Sequence, residues 1–272
     1  MGGGSGFGLV WGECSNWGMC TAIISVEPSA AVPVLVAGVR DEFIARDWQP
    51  PGRHWPDRPG LVGGRDLRAG GTWFAVDPAA PRVALVLNGR GRMAPEEGRA
   101  TRGELPLLMA ADGKLGELEL AAFDPFHLVG AEPDRVRLWS WDGRDLVERV
   151  LGRGLHMIVN SGLEGEGQQD GGTEDAYMGA RLAHFRPRLD AAARPRPGDA
   201  DDPREAWGAW LPLLEGDGLP RADHRALLPL LDMGDGRVWG TTSVSLAALA
   251  PGSVRYDFSG APGDGAAWTR VL

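Results

Sequence analysis

The sequence predicts an α+β protein of packed layers whose strands run antiparallel, and three observations carry that expectation. Short apolar, β-branched runs fill the first part of the chain and return at its end, with helix-like segments between them. That order fits packed layers better than an alternating strand–helix repeat. No Gly-x-Gly-x-x-Gly follows a strand: GGGSGFG at residues 2–8 has none before it, which argues against a dinucleotide-binding unit. Finally, 272 residues with 43% apolar content suffice for one large core, with two tightly joined halves as the alternative.

The elements follow in order. Residues 1–18 are glycine-rich and without periodicity; a disordered extension, a removable pro-segment or a mis-called start is expected there, and the folded domain over 19–272. TAIIS and VPVLVAGV read as neighbouring strands joined by a turn at Glu27-Pro28-Ser29. Residues 48–60, rich in Pro and Trp, read as loop. TWFAV and VALVLN form the next two strands of an antiparallel meander, turning at Asp77-Pro78. Residues 102–112 read as a helix, and KLGELELAA as a second one leading into the strand FHLVGA. RVRLWSW and DLVERVL follow as strands around an Asp142-Gly143 turn, then LHMIVN. Residues 163–177, acidic and rich in Gly and Gln, read as a flexible loop. Met178, Leu182 and Phe185 recur at helical spacing. EAWGAWLPLL and HRALLPLL are further short helices, and RVWGTTSVSLAAL, SVRYDFS and AAWTRVL are the closing strands.

Composition narrows the function. The formal charge of -9 and the pI near 5.1 argue against a nucleic-acid surface. A local basic pocket is still possible, built almost entirely from arginine because Lys114 is the only lysine. Cys14 and Cys20 are spaced C-x5-C, which is neither a zinc knuckle nor a redox pair, so a reducing cytoplasm is the expected location. No apolar run approaches the ~18 residues of a transmembrane segment. His54, His127, His156, His184 and His224 share no metal-ligand spacing and read as surface or packing residues; no metal and no cofactor is assigned.

One residue stands out chemically. Cys20 follows Met19 directly and heads the first strand. An N-terminal cysteine joins a nucleophilic thiol to its own α-amine, which titrates near 8 and serves as the base. Taken alone, the ordinary reading of Cys20 is a buried cysteine at a strand head.

The surrounding blocks change that weighting. Met19-Cys20, then Arg40-Asp41-Glu42-Phe43 at a strand end, then GRDLRAGGTW over residues 64–73 resemble, in order, the NRDE or transport-and-Golgi-organisation-2-like family. Weaker echoes are Arg102-Gly103-Glu104-Leu105-Pro106, the FDPFHLV segment, Asn160-Ser161 and Gly240-Thr241-Thr242-Ser243. The resemblance spans about residues 19–272 and implies a four-layer αββα sandwich of antiparallel sheets, like that of N-terminal-nucleophile hydrolases. It implies Cys20 as nucleophile, Arg40 as the group holding the thiolate or a substrate carboxylate, and Asp41 as acceptor for the α-amine. Asn88 would polarise a carbonyl and Asn160 would enter an oxyanion hole. Gly70-Gly71-Thr72-Trp73 reads as structural, and Asp66 as a turn cap or a partner of Arg40.

Two departures matter. The family's usual Asn before Arg-Asp-Glu is Val39 here, and Cys20 has no free amine while residues 1–19 remain attached. The leading expectation is a cysteine amidohydrolase acting on a small amide or acylated metabolite through a thioester on Cys20. The alternative is a non-enzymatic protein that binds haem or an acyl lipid in the same cleft, a thiolate or histidine being the route to haem. An interaction protein with a degenerate site is the third reading, and Val39 is what raises it.

Overall fold

The computed structural model describes residues 19–166 and 173–272. The expected extension over 1–18 lies outside them. The chain opens with β1 (Thr21–Val26) and β2 (Val34–Phe43), then runs through β3 (Trp48–Gly52), β4 (Val62–Asp66), β5 (Phe74–Asp77) and β6 (Arg82–Asn88). Helix α1 (Leu105–Asp112) precedes β7 (Phe126–Glu132), β8 (Arg135–Trp141), β9 (Leu146–Leu151), β10 (Gly154–Val159) and β11 (Gly162–Leu163). The helices α2 (Thr173–Ala191), α3 (Pro203–Trp207) and α4 (Trp210–Leu214) follow. The chain closes with β12 (Leu230–Asp232), β13 (Val238–Ala250), β14 (Ser253–Ser259) and β15 (Trp268–Arg270).

These strands form two large antiparallel sheets. The first has the order β11-β10-β1-β2-β13-β14-β15, with β12 on β13; the second is the meander β3 to β9 in chain order. The meander is the arrangement expected locally from the turn signals. The first sheet is not readable locally, because β1 pairs with β10 and β2 with β13, segments more than 100 residues away.

Period-two alternation decides what each sheet face meets. On β1 and β2, Ile23, Leu35, Ala37 and Val39 turn toward α2, α3 and α4, in a core with Phe185, Trp207 and Trp210. Ala22, Ile24, Val34 and Val36 turn the other way, onto Phe74, Val83 and Leu85 of the second sheet. A third core sits outside the second sheet, where Leu105 and Met109 of α1 meet Phe126, Leu128 and Trp139. Strands β1 and β2 therefore read as continuous apolar runs, since both faces are covered. Among the described residues no helix is long and apolar enough to cross a membrane.

Five local expectations are corrected. Trp48–Gly52 is an edge strand and not loop; Pro50 and Pro51 are tolerated there because the pairing shifts between Gln49 and Gly52. KLGELELAA forms no helix: Gly113, at φ +68, ends α1, Gly116 is also left-handed, and only a 3-10 turn over Leu120–Ala122 remains. HRALLPLL gives turns and then β12. The helix α2 begins at Thr173, inside the segment expected as loop, of which 167–172 lie outside the described residues. EAWGAWLPLL is two short helices, separated where Gly208 takes a positive φ.

Candidate functional site

Register places the candidate nucleophile. Thr21 lies opposite Val39 on one side and Val159 on the other. One step further along the same register, Cys20 falls between Arg40 and Asn160. Cys20 is partly buried and packs on the core between the sheets. Its Sγ accepts from the Asp41 backbone N–H at 3.4 Å and faces the Asp41 carbonyl at 3.5 Å. Burial pushes the thiol up to about 12, helped by the Asp41 charge; the backbone bond and Arg40 oppose this and lose. With Met19 attached, the thiol is neutral.

Arg40 shares the inter-sheet face and is held from four directions. Its guanidinium donates to Thr242 Oγ1 at 2.8 Å and pairs with Asp66 at 3.4 Å and Glu42 at 3.6 Å. It lies 4.4 Å from the centre of the Trp73 ring. Asp66 does two jobs. One oxygen caps the following turn by accepting from Arg68 and Ala69 N–H at 2.9 Å, and the other meets Arg40 and Arg46. The two glycine pairs of this region make room: a Cβ on Gly64 would meet the Trp73 ring at 2.5 Å, and one on Gly71 the Gly103 backbone at 2.4 Å.

Asp41 points to the opposite, helix-covered face. Its carboxylate accepts from Thr241 Oγ1 at 2.6 Å and pairs with Arg181 of α2 at 3.5 Å. Burial lifts Asp41 to about 6, although Arg181 and the Thr241 bond work against the rise. Arg181 also donates to the carbonyl oxygen of Met19, to Thr21 Oγ1 at 2.8 Å and to the Ala226 carbonyl at 2.9 Å. Asp41 and the Met19 carbonyl therefore share one guanidinium. Val39 is 3% exposed and belongs to the helix-side core. A side chain at 39 faces away from the thiol, so valine there removes no contact on the Cys20 face.

The two asparagines meet across the sheets. Asn160 Nδ2 donates to the Asn88 carbonyl at 2.9 Å, while Asn160 Oδ1 is buried without a partner among the described residues. The atom Asn160 leaves free is thus an acceptor, whereas an oxyanion hole needs donors. His127 of β7 fixes the same corner: Nε2–H donates to the Asn160 carbonyl at 3.3 Å and Nδ1 accepts from Ser140 at 2.9 Å. Burial holds His127 down to about 4, so it is neutral.

Sequence reading gives no site role to Arg181 or His127. An arginine next to the apolar stripe Met178–Leu182–Phe185 was the available signal for the first. His127 alternates with apolar neighbours in a buried strand, and nothing local separates it from a packing residue. Two surface depressions, of about 420 Å³ near Asp57, Asp77 and Asp112 and about 250 Å³ near Glu215, Arg221 and Leu228, lie elsewhere; neither is lined by Cys20, Arg40 or Asn160.

The family model described as Transport and Golgi organisation 2 matches residues 19–172. Among solved structures, a Caenorhabditis elegans ortholog of N-acylethanolamine-hydrolyzing acid amidase is similar at 9% identity and a TM-score of 0.40, over 84% of this chain and 92% of that one. No curated protein sequence matches the chain.

Proposed function

The chain belongs to the Transport and Golgi organisation 2 family, and from that premise and the surroundings of Cys20 we propose that it is a cysteine amidohydrolase of N-terminal-nucleophile type. In this reading residues 19–272 work as one unit, an αββα sandwich with the reacting thiol between its sheets. The observation that carries the reading is the register of β1, which sets Cys20 beside Arg40 and Asn160 at the end of a central strand.

The reaction requires hydrolysis of the Met19–Cys20 bond, which gives Cys20 an α-amine. That amine takes the thiol proton, and Sγ attacks the carbonyl carbon of a small amide. The C–N bond breaks as the amine leaving group takes the proton, leaving a thioester. Water then adds, the C–S bond breaks, and acid and thiol are released. Arg40 stabilises the thiolate from the face it shares with Cys20, and Asp41, held by Arg181 and Thr241, accepts from the new amine. Asn88 holds Asn160 in place. The histidine route to haem has less to draw on, since both ring nitrogens of His127, the histidine at this corner, are engaged.

Intact-mass measurement and activity on small N-acyl amides test the reading together. The expected result is hydrolysis only by protein that begins at Cys20, with loss in Cys20→Ala. Full activity with residues 1–19 attached overturns it.

A further inference from the structure

Arg102 sits in the 3-10 turn Arg102–Glu104, outside the catalytic set named above. Its backbone is pinned, because the Gly103 carbonyl accepts from Thr72 N–H at 2.9 Å and Gly71 packs against Gly103. Its side chain is tied to the nucleophile's neighbours by a continuous path. NH1 donates to the Pro125 carbonyl at 2.8 Å, and that carbonyl also accepts from Gly89 N–H at 2.8 Å. Gly89 follows Asn88, whose carbonyl takes the Asn160 amide, and Asn160 is beside Cys20.

The charges on this side of the first sheet do not balance. Arg40 and Arg46 face Glu42 and Asp66, and Arg99 faces Asp124. Arg102 is left over: among the described residues it has no carboxylate within ion-pair distance, and its guanidinium makes one hydrogen bond, to Pro125. A guanidinium has five N–H donors in a planar fork suited to a carboxylate. Arg102 is half-buried, and its remaining N–H groups are not sealed off from solvent, so they are open to an anionic ligand. Burial lowers its proton affinity, and the charges of Asp124 and Glu42 oppose that. A second orphan points the same way. Asn160, 3% exposed, has a free Oδ1 acceptor, which suits the N–H of an amide.

We propose that Arg102 is the specificity-determining residue of the Cys20 site, binding a single carboxylate on an amide substrate whose N–H is accepted by Asn160 Oδ1. This rests on the amidohydrolase reading. One unpaired positive charge fits a monoanion better than a doubly charged phosphate or phosphonate.

The test uses the full chain carrying Cys20→Ala, so that binding is read without turnover. N-hexanoylglycine, its neutral amide N-hexanoylglycinamide, and the phosphonate analogue are titrated by calorimetry. The acid is expected to bind about 10- to 100-fold tighter than the neutral amide, the range of a charge-assisted contact, and tighter than the phosphonate. Arg102→Gln should reduce the preference for acid over amide to less than about threefold, and Arg102→Lys should keep part of it; the thermal melt of each variant confirms folding. Equal affinity for acid and amide, a preference that survives Arg102→Gln, no binding of any probe at millimolar concentration, or tighter binding of the phosphonate overturns the proposal. Arg102-dependent binding, with no hydrolysis of any probe by protein that keeps Cys20 and begins at it, sinks the amidohydrolase reading and leaves the carboxylate site standing.

Discussion

Arg181, in the middle of a helix, donates to the carbonyl oxygen of Met19, the residue whose peptide bond closes off Cys20. The same guanidinium pairs with Asp41 on the helix side of the first sheet, while the Cys20 sulfur lies on the other side. Nucleophile and peptide carbonyl are thus served from opposite faces of one sheet.

Arg181→Met should destabilise the protein by about 3–5 kcal/mol, because it leaves Asp41 buried without its cation. Asp41→Asn added to Arg181→Met should recover part of that loss. Chemical denaturation of the single and double variants measures both, and strictly additive losses would show that the pair is not coupled.

Two buried groups give the stability a pH dependence of opposite sign. His127, at about 4 in the folded protein against about 6.5 unfolded, binds its proton later in the folded state. Its contribution is present above about 6.5 and lost as pH falls toward 4, on the order of 3 kcal/mol in all. Asp41, raised to about 6, holds its proton longer when folded, so its contribution is present at low pH and is lost as pH rises through 6. In the window from 6 to 4 the two offset each other. Asp41→Asn should therefore make acid destabilisation steeper, and His127→Gln should make it shallower, in denaturation midpoints taken across pH 4–7.

The thiol offers a direct probe of processing. At about 12, Cys20 has almost no thiolate at pH 8 while Met19 remains attached. Iodoacetamide should modify it at least about 100-fold more slowly than a free cysteine, by mass spectrometry. Protein that begins at Cys20 should react much faster. Rapid alkylation of the unprocessed chain would mean that burial does not control this sulfur.

Val39→Asn places a polar side chain in the helix-side core, and a loss of about 1–3 kcal/mol is expected. The reactivity of Cys20 should stay within about twofold of the parent. A large change in thiol reactivity without loss of stability would show that position 39 does act on the site.

Much of this was legible in the residues. The strands of the second sheet, their turns at Asp77 and Asp142, and the apolar runs of β1 and β2 follow from patterns a few residues long. Their physical causes, turn chemistry and period-two burial, are local. The resemblance points to Cys20, Arg40, Asp41, Asn88 and Asn160. Which face each uses was not legible, since a one-residue change of register inverts every side chain of a strand. Pairing across more than 100 residues settled that, putting Cys20 and Arg40 on the inter-sheet face and Asp41 and Val39 behind it. The resemblance implies a donor role for Asn160, whereas its amide is committed to the Asn88 carbonyl. Arg181 and Arg102 became visible only through partners distant in the chain. The thiol's position beside Met19 was written in the residues themselves. Its protonation state came from folding, because burial and the field of charged neighbours exist only once the sheets close over it.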